Sequence, residues 1–147
     1  MEKLVLPNDV MLDEAARLLA EGREVVMIPK GRSMLPFIRG EIDKVVLVKP
    51  ETLKVGDVVL AHFGDRYVLH RIIGIRGEQV TLMGDGNLHG TEVGNRESIA
   101  GKVKTIIKPS GRQHAPRRGW LWCKLLPVRK YLLKIFRKWN RIIGKQY

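Results

Sequence analysis

Short apolar runs alternate with polar punctuation along this chain, and the period of each run separates a helix from a set of strands. Between residues 9 and 21, Val10, Leu12, Ala15, Ala16, Leu18 and Leu19 recur at helical spacing. Asp9 stands where a cap belongs and Gly22 where a stop belongs. The next apolar run, residues 24–28, is too short for a helix and reads as a strand. It leads into a turn at 29–36, Pro-Lys-Gly-Arg-Ser-Met-Leu-Pro, bounded by two prolines. Further strands are predicted at 44–48, 57–63, 66–75, 78–83 and 99–107. Gly56, Gly64-Asp65 and Arg76-Gly77 mark the turns. Many short strands with tight glycine turns predict a mainly β, antiparallel body behind a short N-terminal helix. The segment from Met83 to Ile99 is rich in Gly, Asn and Glu and reads as a loop, and 108–119 as a linker.

The pattern changes after the linker. Leu121, Leu125, Val128, Leu132, Ile135, Phe136, Trp139 and Ile143 recur at three- and four-residue steps, which predicts an amphipathic helix that Pro127 starts or kinks. Charge changes at the same place. The chain of 147 residues carries a net charge of +12, and residues 112–147 hold eleven Lys and Arg with no Asp or Glu. Residues 1–111 hold 16 basic and 15 acidic side chains, so the body is close to neutral and the tail is a polycation. A division into a body, 1–111, and a basic helical tail, 112–147, follows.

Composition excludes several classes. A hydrophobic content of 44% excludes wholesale disorder. The single cysteine, Cys123, excludes an intramolecular disulfide and a cysteine-based metal site. His62, His89 and His114 lack the paired spacing of metal ligands, so neither metal nor cofactor is expected. The start of the chain lacks the apolar run of a signal peptide, and no stretch of about 18 uncharged apolar residues occurs. A cytoplasmic protein, peripheral on the inner face of a membrane, is the expectation. Trp120, Trp122 and Trp139 among basic residues suit an anionic bilayer surface. The plain alternative is a helix folded back on the body. Nucleic acid is disfavoured, because so apolar a tail is not a phosphate-tracking segment.

The candidate chemistry lies in the body. A serine hydrolase needs a nucleophile on a stiff exposed turn, a base beside it and backbone donors for an oxyanion. Ser33 follows an apolar strand, with Gly31 allowing a tight backbone and Pro36 stiffening the exit. His70 supplies an imidazole suited to base catalysis near neutrality. On their own, Ser33 reads equally as a turn serine and His70 as a core histidine.

Taken together, the motifs resemble type I signal peptidases. Ser33-Met34-Leu35-Pro36 is similar to their Ser-Met-x-Pro motif, and Gly56-Asp57-Val58-Val59 to the segment that follows it. His70-Arg71-Ile72-Ile73 resembles the His-Arg-Val-Ile motif of the endoplasmic-reticulum, archaeal and sporulation-type branch, in which His replaces a Lys base. Gly84-Asp85-Gly86-Asn87 resembles the Gly-Asp-x-Asn box, and 99–103 the closing Gly-x-Val strand. Self-cleaving repressors of the LexA type share Gly31-x-Ser33-Met34 but use a Lys base, which makes them the poorer match.

The resemblance, over roughly residues 25–103, implies a coiled antiparallel sheet and a serine endopeptidase acting on a peptide or protein precursor. Ser33 is then the nucleophile, His70 the base, and Asp85 an orienting acid; Glu92 and a bare dyad are the other arrangements. Gly31 and Ser33 form the oxyanion turn. Strands 25–28 and 67–69 bind substrate by strand addition, through Val26, Ile28, Met34 and Val68. Three departures stand out. Gly31 replaces a serine that serves many members as a second oxyanion donor. Gly90-Thr91-Glu92 stands where the His branch carries a further Asp. The usual N-terminal membrane anchor is missing. A non-catalytic module that uses the groove and tail to hold a partner is the alternative function.

Overall fold

The computed structural model describes residues 3–5, 9–31, 34–35, 37–86, 91–116 and 134–139, with side chains from Met11 onward. Ser33, Pro36, Asn87, His89, Gly90 and most of the predicted tail helix, Pro127 included, lie outside the described residues.

Helix α1 (Asp9–Ala20) follows the predicted periodicity. The Arg23 N–H donates to the Leu18 carbonyl and the Gly22 N–H to that of Leu19, which closes the last turn. Leu12, Ala15, Leu18 and Leu19 form its buried stripe. The strands are β1 (Lys3–Val5), β2 (Val25–Met27), β3 (Lys44–Val48), β4 (Val58–Phe63), β5 (Arg66–Arg76), β6 (Gln79–Met83), β7 (Glu92–Asn95), β8 (Ile99–Ile107) and β9 (Gln113–His114). They form one curled, mainly antiparallel sheet in the order β1-β2-β3-β8-β4-β5-β6-β7, with β9 paired to β8. The fold class expected from sequence is therefore present. Residues 134–139 form a short helix, α2.

Two apolar clusters explain the long uncharged runs. Leu12, Leu19, Met27, Leu47, Val58, Leu60 and Val103 pack between α1 and the sheet. Val59, Ala61, Ile72, Val80, Leu82 and Ile99 form a second cluster. Alternate residues of β4 feed the two clusters, so Val58–Ala61 is buried on both faces and reads as a continuous run rather than an alternation.

Three elements differ from expectation. β1 and β9 are three and two residues long, too short to show a period. β7 falls inside the predicted 83–99 loop, because its sequence Glu-Val-Gly-Asn has no apolar alternation and Val93 is exposed on the outermost strand. The 108–119 linker also begins on the body. Gln113 and His114 pair with Ile107 and Ile106, and Pro116 is buried.

Candidate active site

β5 carries His70 and Arg71 side by side, and a strand sends consecutive side chains to opposite faces. Both are buried, at 6% and 0% exposure. The register of the neighbouring strands decides which carboxylate each receives. Ile72 stands opposite Leu82, and Leu82 opposite Glu92, so Glu92 projects from the face that His70 shares with Ile72. Arg71 stands opposite Met83, and Asp85 follows two residues later with the same parity.

The side chains pair accordingly. His70 Nδ1 is hydrogen-bonded to the Glu92 carboxylate. A carboxylate can only accept, so Nδ1 bears the proton and Nε2 is the basic nitrogen of the neutral ring. Asp85, expected as the orienting acid, instead takes Arg71 in a two-pronged pair, Nε to Oδ1 at 2.7 Å and Nη2 to Oδ2 at 2.6 Å. Arg71 Nη1 also donates to the carbonyls of Gly56 at 2.7 Å and Pro116 at 2.8 Å. Its guanidinium lies 5.6 Å from the centre of the Phe37 ring. One buried cation thus ties together the β4 entry, the turn after β6, the turn at 37 and the segment after β9. Asp57, the acid of the second motif, accepts from the Lys54 N–H at 2.9 Å and shapes a turn.

His70 opens on its exposed side into a cavity of about 140 Å³. Val68 and Leu69 of β5 form one wall, and Pro29, Gly31, Met34 and Ile38 another. The turn that supplies the second wall is braced by close backbone packing. Gly31 adopts φ +86°, the left-handed region that suits glycine. A Cβ on Gly40 would stand 2.2 Å from the Gly31 carbonyl oxygen, so only glycine lets the two backbone segments approach. The neighbouring Glu41 is held at φ +66° while its N–H donates to the Pro29 carbonyl at 2.6 Å.

Asp43, wholly buried, locks the far end of the same turn. Its carboxylate accepts from the Arg39 N–H at 2.7 Å, the Arg39 guanidinium at 3.1 Å and Lys108 Nζ at 2.6 Å. Lys108 also donates to the Phe37 carbonyl at 2.8 Å. Burial opposes ionisation of Asp43, but the hydrogen bonds from Arg39 and Lys108 outweigh it and hold the carboxyl below the usual aspartate range. Nothing in the sequence period pointed to this clamp, whose partners Asp43 and Lys108 lie at the start of β3 and just past the end of β8.

The expected substrate strands fare differently. Both edges of Val25–Met27 are taken, with Leu4 opposite Val26 in parallel on one side and Val46 on the other. Val26 therefore has no free edge for an incoming strand while β1 is in place. Ile28 lies beyond β2 and is half-buried, and Met34 belongs to the core while also lining the cavity. β5 pairs with described strands on one side only over its first half. Its first half, Arg66–Arg71, pairs with β4, whereas β6 begins its pairing only at Arg71. Val68 and Leu69 thus border the cavity on the side where no described strand pairs with them.

No protein-family model matches the chain, and no curated protein matches it. No helix among the described residues is long and apolar enough to cross a membrane.

Proposed function

We propose that the chain is a serine endopeptidase of the signal-peptidase type, with Ser33 as nucleophile, His70 as general base and Glu92 as the acid that orients the base. The supporting observation is a shared cavity. His70, with its proton fixed on Nδ1, lines the same space as Gly31 and Met34, the described residues that bracket Ser33 in sequence. Such an arrangement suits acyl transfer.

In the proposed reaction, Nε2 of His70 accepts the Ser33 hydroxyl proton as Oγ attacks the peptide carbonyl. The imidazolium then gives that proton to the leaving amine as the C–N bond breaks. Water hydrolyses the acyl-enzyme with His70 again as base, which frees Ser33 and releases the new carboxylate. Glu92 holds the ring in the productive tautomer and offsets the charge it gains. The Ser33 N–H serves as an oxyanion donor, a role typically worth roughly 3–4 kcal/mol of barrier. An extended substrate chain adds alongside Val68 and Leu69 and sets one apolar side chain into the cavity beside Met34 and Ile38.

A serine-directed acylating probe tests the reading. Covalent labelling mapped to Ser33, and abolished in both Ser33→Ala and His70→Ala, is the expected result. Folded protein that stays unlabelled would instead favour a peptide-binding module built on the same groove. Against a peptide substrate, each of the two variants is expected to lose on the order of 10⁴-fold or more in kcat.

A further inference from the structure

The tail helix is the feature of the sequence that the proposed chemistry leaves unused, and its described segment has an unusual orientation. Arg137 Nη2 donates to the Gly86 carbonyl at 3.2 Å, which ties α2 to the body, and Phe136 is half-buried. Ile135 and Trp139 are 65% and 61% exposed. One turn apart, they share a face of α2, and each stands roughly 200° around the helix from Arg137. An amphipathic helix folded back on its own domain would cover these two side chains first. Here they face outward. Lys134 and Lys138, also exposed and one turn apart, flank them. The sequence keeps the same apolar step at Leu132 and Ile143 and places no acidic residue anywhere in 112–147.

We propose that the face formed by Ile135 and Trp139, with Lys134 and Lys138 beside it, docks the protein on an anionic phospholipid bilayer. The apolar pair enters the boundary between headgroups and acyl chains, and the two ammonium groups meet lipid phosphates. Charge complementarity selects this occupant, because the tail offers cations alone. A surface that only tracks nucleic-acid phosphates has no use for an outward isoleucine. The bond from Arg137 to Gly86 joins the docked helix to the turn that bears Asp85, the partner of Arg71. Docking therefore holds the body, cavity included, at the lipid surface.

The full-length protein should sediment with phosphatidylcholine vesicles that contain phosphatidylglycerol, far less with phosphatidylcholine alone, and less as salt rises. The double variant Ile135→Ser/Trp139→Ser should weaken that partition about 10- to 100-fold while its thermal unfolding stays unchanged, since both side chains are already exposed. Lys134→Glu/Lys138→Glu should weaken it about tenfold or more. Absence of vesicle binding, equal binding to neutral and anionic vesicles, or wild-type binding by the serine variant each overturns the proposal. Retention on single-stranded RNA without vesicle binding would reassign the surface to nucleic acid.

Discussion

His70 and Arg71 are neighbours on one strand, and each holds a carboxylate, yet the two pairs are built for different ends. The Arg71–Asp85 pair is sealed: its side chains are 0% and 1% exposed, and three of the guanidinium nitrogens are engaged. Nothing there is left to exchange a proton or meet a substrate. Among the described residues the His70–Glu92 pair is bonded at one ring nitrogen only, the Glu92 side chain is 21% exposed, and the ring borders a cavity. A saturated pair fixes geometry, whereas a pair with one basic nitrogen to spare can do chemistry. Sheet register separates them, since a one-residue slip of β6 would offer each carboxylate to the wrong face.

That contrast can be broken from the structural side first. Arg71→Met should cost about 3–5 kcal/mol in chemical denaturation, because it strands the Asp85 carboxylate in the interior. Adding Asp85→Leu should recover much of the loss; a double variant no more stable than the single one would show that the other bonds of Arg71, to Gly56 and Pro116, dominate. From the chemical side, Glu92→Gln should leave stability within about 1 kcal/mol and lower kcat on the order of a hundredfold, since the amide can donate to Nδ1 and select the wrong tautomer. Unchanged kcat against a peptide substrate would remove Glu92 from the mechanism.

The smallest effect belongs to the clamp on the turn. Asp43→Asn should cost about 1–3 kcal/mol at neutral pH through weaker bonds to Arg39 and Lys108. The folded Asp43 carboxyl titrates below its unfolded value, so its contribution is present above the unfolded value of about 3.9 and is lost as pH falls through that value toward the folded one. Denaturation measured from pH 6 downward should therefore show wild type losing its advantage over Asp43→Asn only below about pH 4. An advantage that stays constant through this range would mean that the carboxylate charge is not what braces the turn.

Much of the body was legible in the sequence. The α1 stripe and strands β3, β4, β5, β6 and β8 follow from periodicity and glycine turns, since each is long enough for one face or both to be apolar. His70 was legible as a candidate through its neighbour Arg71 and the ordered motifs that resemble those of signal peptidases, since the strand period alone reads as a core histidine. Its carboxylate was not. Asp85 and Glu92 lie 15 and 22 residues downstream, and both are acids in one polar stretch, so spacing could not rank them. The pairing of β7 with β6 decided between them, and β7 has no apolar period to announce it. The loss of the β2 edge to β1 was hidden for the same reason, since three residues of a parallel edge strand leave no pattern.

By itself the sequence determined the elements whose burial repeats with a fixed period, the separation of a near-neutral body from a cationic tail, and the residue types available for chemistry. Partners were decided by the tertiary structure: Glu92 for His70, Asp85 for Arg71, Lys108 for Asp43, and solvent rather than the body for Ile135 and Trp139. The physical reason is that local sequence sets which way a side chain points relative to its own backbone. What it meets there depends on the register and curl of strands far away in the chain, and no local pattern encodes those.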